Sequence, residues 1–266
     1  MFNLIKMNLY RMSRAVSTWV MAIVAVLFGI LQFSSLKLML DDPLNMFNGS
    51  GTDMLGYTVL NGVRTVATFL QNSNVLIILA IFVVMFTNAE HKCGFDKNII
   101  GITKHKWKQT LARWISAVIG MTCIIALGYA TMLGLSALFI NNFAFGSVAA
   151  MFKAFGLMYL SAVTFSAIFF FFTTLFNNSV GGVVASLIIS LGILNLFEML
   201  MDLLVKKVVS DPKVLPSDFF YDSVFIKLDL ESLTTKAVMI FVATSVIYIA
   251  VTLGGSMLLQ QKRDVK

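Results

Sequence analysis

Charge is scarce in this sequence. Only 12% of its 266 residues are Lys, Arg, Asp or Glu, about half the share in an ordinary soluble domain, and 58% are hydrophobic. Mean hydropathy is +0.87. A water-soluble fold needs a polar surface that this composition cannot supply, so the chain reads as an integral membrane protein. Cysteine is nearly absent. Cys93 lies in a polar segment and Cys123 in an apolar run, so no disulfide framework is expected and both should be reduced. Histidine is limited to His91 and His105; His91 and Cys93 are close, but two ligands do not make a metal site and no metal is expected.

Chemical motifs are missing as well. No G-x-x-x-x-G-K-[ST] loop is present, so the chain has no phosphate cradle of that kind. Neither H-E-x-x-H nor G-x-S-x-G occurs, which leaves an intramembrane enzyme as the least favoured reading. The cores of the apolar runs read as free of acids, His and Arg, with Glu90 and Glu198 at their ends and Asp202 just beyond one. Ion-coupled transporters and pumps place such groups inside the membrane. Both classes are therefore disfavoured, and uphill transport would need energy from elsewhere. No basic-aromatic pattern points to a nucleic acid partner.

What remains is apolar sequence in long runs. A bilayer core of about 30 Å needs roughly 20 residues at 1.5 Å rise. Six stretches qualify: 18–35, 74–89, 114–140, 155–176, 180–200 and 237–259, the second with an upstream extension through "VLNGVRTVATFLQ". Continuous rather than alternating apolarity selects helices over barrel strands. The expected fold is all-α, a polytopic protein with six transmembrane helices in one permease-like domain, 1–266. The first stretch is too long for a signal peptide and lacks a small-residue cleavage site, so it is expected to remain as a span.

Positive charge marks the cytoplasmic side. The N-terminal flank, the segment after the second stretch, the "NNS" turn and the tail together hold twelve basic and three acidic residues, against eight and ten on the other side. Both termini are expected in the cytoplasm. The first segment, 1–16, sets Phe2, Ile5, Leu9 and Met12 at helical spacing opposite Asn3, Lys6 and Ser13. It suits an interfacial helix lying on membrane lipid, or a plain positive flank.

Residues 87–114, "TNAEHKCGFDKNIIGITKHKWKQTLARW", hold eight of the charged residues and both histidines. Within them Phe95, Ile99 and Ile102 recur at i, i+4 and i+7, and Gly94 and Gly101 bracket the central turn or two. Such a short helix has an apolar face the loop cannot bury, to be laid on headgroups or docked in another protein. Further on, Gly182, Ser186 and Ser190 repeat every four residues, a small-residue ridge for close helix packing within the chain or across a dimer.

This layout, with "EHKCGFDKNIIGITKHKW" at its centre, resembles the membrane subunit of type-2 ABC exporters. Glu90, Gly94 and Lys104 match the family's Glu-x-x-x-Gly, short helix and basic residue. Phe95 stands where the family often has Thr, and Gly101 and Lys104 where it often has Pro and Arg. The resemblance implies that 91–108 is a coupling segment seated in a separate ABC ATPase subunit, two copies per assembly. Its contacts would be Glu90, Gly94, Phe95, Asp96, Ile99, Ile102 and Lys104, joined by Asn177 and Asn178 of the "NNS" turn. ATP and magnesium would bind that partner, leaving this chain without a cofactor. It further implies a homodimer in a bacterial cell membrane, a substrate path near the first, second and fifth spans, and an external cap over 201–236 with short re-entrant helices. The polarity-poor spans suit an apolar or amphipathic cargo. Resemblance to exporters of antimicrobial or cytolytic peptides, bacteriocins among them, makes a peptide the expected cargo. Lipid, drug or polysaccharide export, and a stand-alone immunity protein that binds a toxic peptide, remain open alternatives.

Overall fold

An apolar run in lipid must satisfy its backbone from within, and these runs do so as helices. The computed structural model describes residues 1–41, 60–92, 106–140, 143–176, 178–208, 215–230 and 233–262. Its helices are α1 (Phe2–Arg14), α2 (Val16–Asp41), α3 (Gly62–Leu70), α4 (Ser73–Lys92), α5 (Lys106–Phe139), α6 (Val148–Phe176), α7 (Ser179–Ser190), α8 (Ile193–Val208), α9 (Tyr221–Ile226) and α10 (Thr235–Lys262). A 3-10 turn covers Pro216–Phe219. Two-residue strands β1 (Leu60–Asn61) and β2 (Phe143–Ala144) pair in parallel just before α3 and α6. Apart from that bridge the regular structure among the described residues is helical.

Four helices, α2, α5, α6 and α10, are long and apolar enough to cross a membrane. The pairs α3–α4 and α7–α8 qualify only when each is joined, and they are bent by 55° and 57°. The chain is thus membrane-embedded, with four to six candidate spans among the described residues, two of them broken where the hydropathy suggests continuous runs. Local chemistry explains both breaks. After α3 the Asn72 side chain accepts from the Asn74 amide at 2.9 Å and restarts the helix as α4. After α7, Gly192 sits at φ +69°, the left-handed conformation that ends helices and suits glycine. The Asn195 amide then donates to the Gly192 carbonyl at 3.0 Å, opening α8 in a new direction.

The centre of the bundle is α6, on which α3, α4, α7 and α10 all pack. Its Phe165, Phe169 and Phe170 are essentially fully buried. Side-chain pairs set its register against α5: Thr122 with Tyr159 at 2.7 Å, and Trp114 Nε1 donating to Ser166 at 3.3 Å. The α5–α10 register is set by Thr110 donating to Gln260 at 2.5 Å. On the far side of α5, α2 crosses at small residues. A Cβ on Gly29 would collide with Thr131 Oγ1 and lie 2.5 Å from the Gly128 carbonyl oxygen. One on Gly128 would meet the Ala25 carbonyl at 3.0 Å. The backbones meet there because nothing larger intervenes.

The helix read at the N-terminus is present as α1, and it packs on α5. Met12 is buried against Gly120 and Phe82, and Arg11 lies over the Phe86 ring at 5.6 Å. Phe2, at the other end of the same stripe, is exposed.

Candidate functional site

Along α7 the small-residue ridge faces its own chain. Ser186 and Ser190 are buried, and a Cβ on Gly182 would lie 3.1 Å from Thr173 Oγ1 and 3.2 Å from Val84 Cγ1. The opposite stripe, Val180, Val184, Ile188 and Leu191, is exposed. Beyond the bend, α8 places Asn195, Glu198, Asp202 and Lys206 at steps of three, four and four, one face of a helix. Leu196, Phe197, Leu200 and Leu204 are exposed on its remaining surface. This helix is therefore apolar outward and polar along one stripe.

The chain then turns back and covers that stripe. The Ser217 amide donates to Asp202 Oδ1 at 3.0 Å, and the Ser223 hydroxyl donates to Glu198 Oε2. Asp218 accepts from the Leu215 amide at 3.0 Å and pairs with Lys227 at 2.9 Å, which fixes the 3-10 turn. Beneath it, α9 is driven into the bundle by its aromatic residues. Tyr221 and Phe225 meet Phe165 edge-on at 5.2 and 5.4 Å. The Tyr221 hydroxyl pairs with Ser245 at 3.0 Å, and the Tyr248 hydroxyl donates to the Phe219 carbonyl at 2.5 Å. Gln71, at the break between α3 and α4, donates to the Leu228 carbonyl at 3.0 Å. Ser245 lies ten residues into the 28-residue α10, and Phe165 seventeen into the 29-residue α6. The returning segment therefore reaches about halfway along its neighbours.

A cleft of about 380 Å³ opens between α8 and this segment. Asn195, Glu198, Asp202, Lys206, Ser217, Ser223 and Lys227 supply its polar lining, and Met199, Leu203 and Ile226 its apolar lining. Glu198 is 1% exposed and Asp222, just behind it, 7%. Three oxygens in this neighbourhood, Glu198 Oε1, Asp222 Oδ2 and Asn195 Oδ1, are buried without a hydrogen-bond partner among the described residues. Burial, with the Glu198 carboxylate adding to it, pushes the Asp222 carboxyl up to about 6, while the Asn195 side chain pulls the other way. Burial pushes Tyr221 up to about 12 against the opposing bonds to Ser245 and Thr164. Asp218 is held below the usual range, first by the hydrogen bond from Lys227 and then by the Leu215 amide.

These positions correct one expectation. Hydropathy sets Glu198 at the end of an uncharged run, yet it is the most buried acid among the described residues. The bend at Gly192 redirects α8, and residues 217–223 then close over its polar stripe. Arg113 is a second departure: counted with the polar segment, it is 1% exposed in α5. Of the expected ATPase contacts, Gly94, Phe95, Asp96, Ile99, Ile102, Lys104 and Asn177 lie outside the described residues. Glu90 falls in the last turn of α4. Asn178 caps α7, its side chain accepting from the Val180 amide at 3.2 Å. The cleft itself is not foreseen from the sequence, although the spacing of Asn195, Glu198, Asp202 and Lys206 carries its signature. No protein-family model matches this sequence, and no curated protein is significantly similar to it.

Proposed function

We propose that this chain is the membrane subunit of an ATP-driven exporter of the type-2 ABC class. It would move an apolar or amphipathic substrate, an antimicrobial or cytolytic peptide above all, out of a bacterial cell or its membrane. Two copies of a separate ABC ATPase subunit would bind ATP and magnesium, and a second copy of this chain would complete the path. Both termini and residues 91–108 would face the cytoplasm, with Glu90, Phe95 and Ile99 among the contacts that pass the ATPase's motion to the spans.

One observation supports this reading best. The connection between the fifth and sixth candidate spans folds back, and Tyr221 reaches Ser245 part-way down α10. A short re-entrant helix at that place in the chain is what the exporter layout implies for the cap. The same returning segment also builds a cleft, which favours a second reading, a stand-alone immunity protein that holds a toxic peptide without transport.

Affinity purification in mild detergent from native membranes separates them. An ATPase is expected with the wild-type chain and not with Phe95→Asp, inserted at equal level. Equal recovery with both would refute the coupling role of 91–108. Recovery with neither would favour the stand-alone protein.

A further inference from the structure

We propose that the cleft between α8 and the segment 216–227 binds a cation that donates N–H bonds, a primary ammonium or guanidinium, carried on an apolar tail. The argument begins with what the cleft leaves unsatisfied. Glu198 is 99% buried and lines the cleft, one of its oxygens held by Ser223 and the other without a donor among the described residues. Asn195 Oδ1, one turn earlier on the same stripe, is in the same condition, and Asp222 Oδ2 behind them makes a third. Buried acceptors without donors are costly, and a buried carboxylate without a counter-charge more so. Glu198 and Asn195 line the cleft, and their two unpaired oxygens, with the Asp222 carboxylate behind them, call for a ligand with several donors.

Charge singles out a cation over water. Lys227 is engaged by Asp218 at 2.9 Å. Lys206 stands one turn beyond Asp202 and two turns, about 12 Å along the axis, from Glu198. Both lysines line the cleft and Lys227 also attracts Glu198, but among the described residues neither acts on Asp222, and the four carboxylates Glu198, Asp202, Asp218 and Asp222 outnumber them. A metal ion fits less well, because no three metal-ligating side chains among the described residues converge. An ammonium, with three N–H donors and one positive charge, meets both demands.

The tail follows from the mouth. Met199, Leu203 and Ile226 line the cleft and are themselves 61%, 53% and 58% exposed. They run into the outward apolar surface of α8, so a ligand with its charge at Glu198 would leave its hydrocarbon along that surface. The volume, about 380 Å³, lies within the roughly 300–1,000 Å³ of small-molecule sites. The binding site stands on this geometry; that it admits cargo to an exporter rests on the proposed function. Binding needs no ATPase, so the two ideas fail separately.

The test is calorimetric titration of the whole chain in phosphatidylcholine nanodiscs, against empty nanodiscs, with n-octylammonium and n-octyltrimethylammonium. The quaternary ion has the same charge and tail but no N–H donor. Wild type should bind the primary amine at least about tenfold more tightly. Glu198→Gln should weaken that binding about tenfold or more, and Ile226→Trp, at the exposed mouth, should block it. Because Ile226 is on the surface, its variant carries the test if Glu198→Gln does not fold. Weaker octylammonium binding in nanodiscs containing phosphatidylethanolamine would identify a lipid headgroup as one source of the ammonium; unchanged binding would leave a free amphiphile. Equal affinity for both amines, heat no greater than the blank, or binding untouched in both variants would overturn the proposal.

Discussion

Replacing Asp222 with Asn should stabilise the protein at neutral pH and lose that advantage in acid. The Asp222 carboxyl is 7% exposed, and burial with the neighbouring Glu198 raises it from 3.8 to about 6. A raised carboxyl binds its proton more tightly in the folded chain than in the unfolded one. Above about pH 6 both states are ionised, and the folded state carries the whole cost of the buried charge. As pH falls from 6 towards 3.8 the folded chain protonates first and the cost is relieved. A shift of about two units at 1.36 kcal/mol each amounts to about 3 kcal/mol at pH 7. That is a large part of the 5–15 kcal/mol typical of a folded domain. Asn cannot ionise, so the variant should gain about 3 kcal/mol at pH 7 and about 1 kcal/mol or less at pH 4. The measurement is unfolding in mixed micelles from pH 4 to 8, followed by tryptophan fluorescence, with the variant compared to wild type at each pH. That difference cancels Asp218, whose depressed carboxyl contributes stability of the opposite pH dependence. A pH-independent difference, or a variant less stable than wild type at pH 7, would refute the buried-charge account.

Two further outcomes test the frame around the site. Gly29→Val should force α2 off α5, because its Cβ would meet the Gly128 carbonyl oxygen at 2.5 Å. The expected loss is about 1–3 kcal/mol in thermal unfolding, with Gly134→Val, which has open space around it, as the unaffected control. An equal response from both variants would mean that the crossing is not close. In a background with Cys93 and Cys123 replaced by Ser, a cysteine at Phe219, which is 72% exposed, should react with an impermeant maleimide in intact cells. One at Lys104 should react only after permeabilisation, and the reverse pattern would invert the orientation read from the charges.

The sequence disclosed the elements that depend on composition. Long apolar runs became helices, the stripe through Leu9 and Met12 became α1, and the stretch upstream of Asn74 proved to be α3. It concealed what depends on one residue's backbone or on distant partners. The bend at Gly192 turns on a single positive φ, which an average over twenty residues erases. Gly29 and Gly128 are 99 positions apart, and no local pattern says which helix faces which. Glu198 illustrates the mechanism best. In "NLFEMLMDLL" it is one acid among leucines, and hydropathy treats it as a run's frayed end. Its helical period, shared with Asn195, Asp202 and Lys206, says instead that one face is polar. Its burial then requires Ser217 and Ser223 to arrive from some twenty residues away, held down by Tyr221 and Phe225 on Phe165. Hydropathy thus decides whether a segment enters the membrane, and period decides which face must be covered. A polar stripe on such a helix is a demand for a partner; here the chain meets most of it with its own returning segment and leaves the remainder at the cleft.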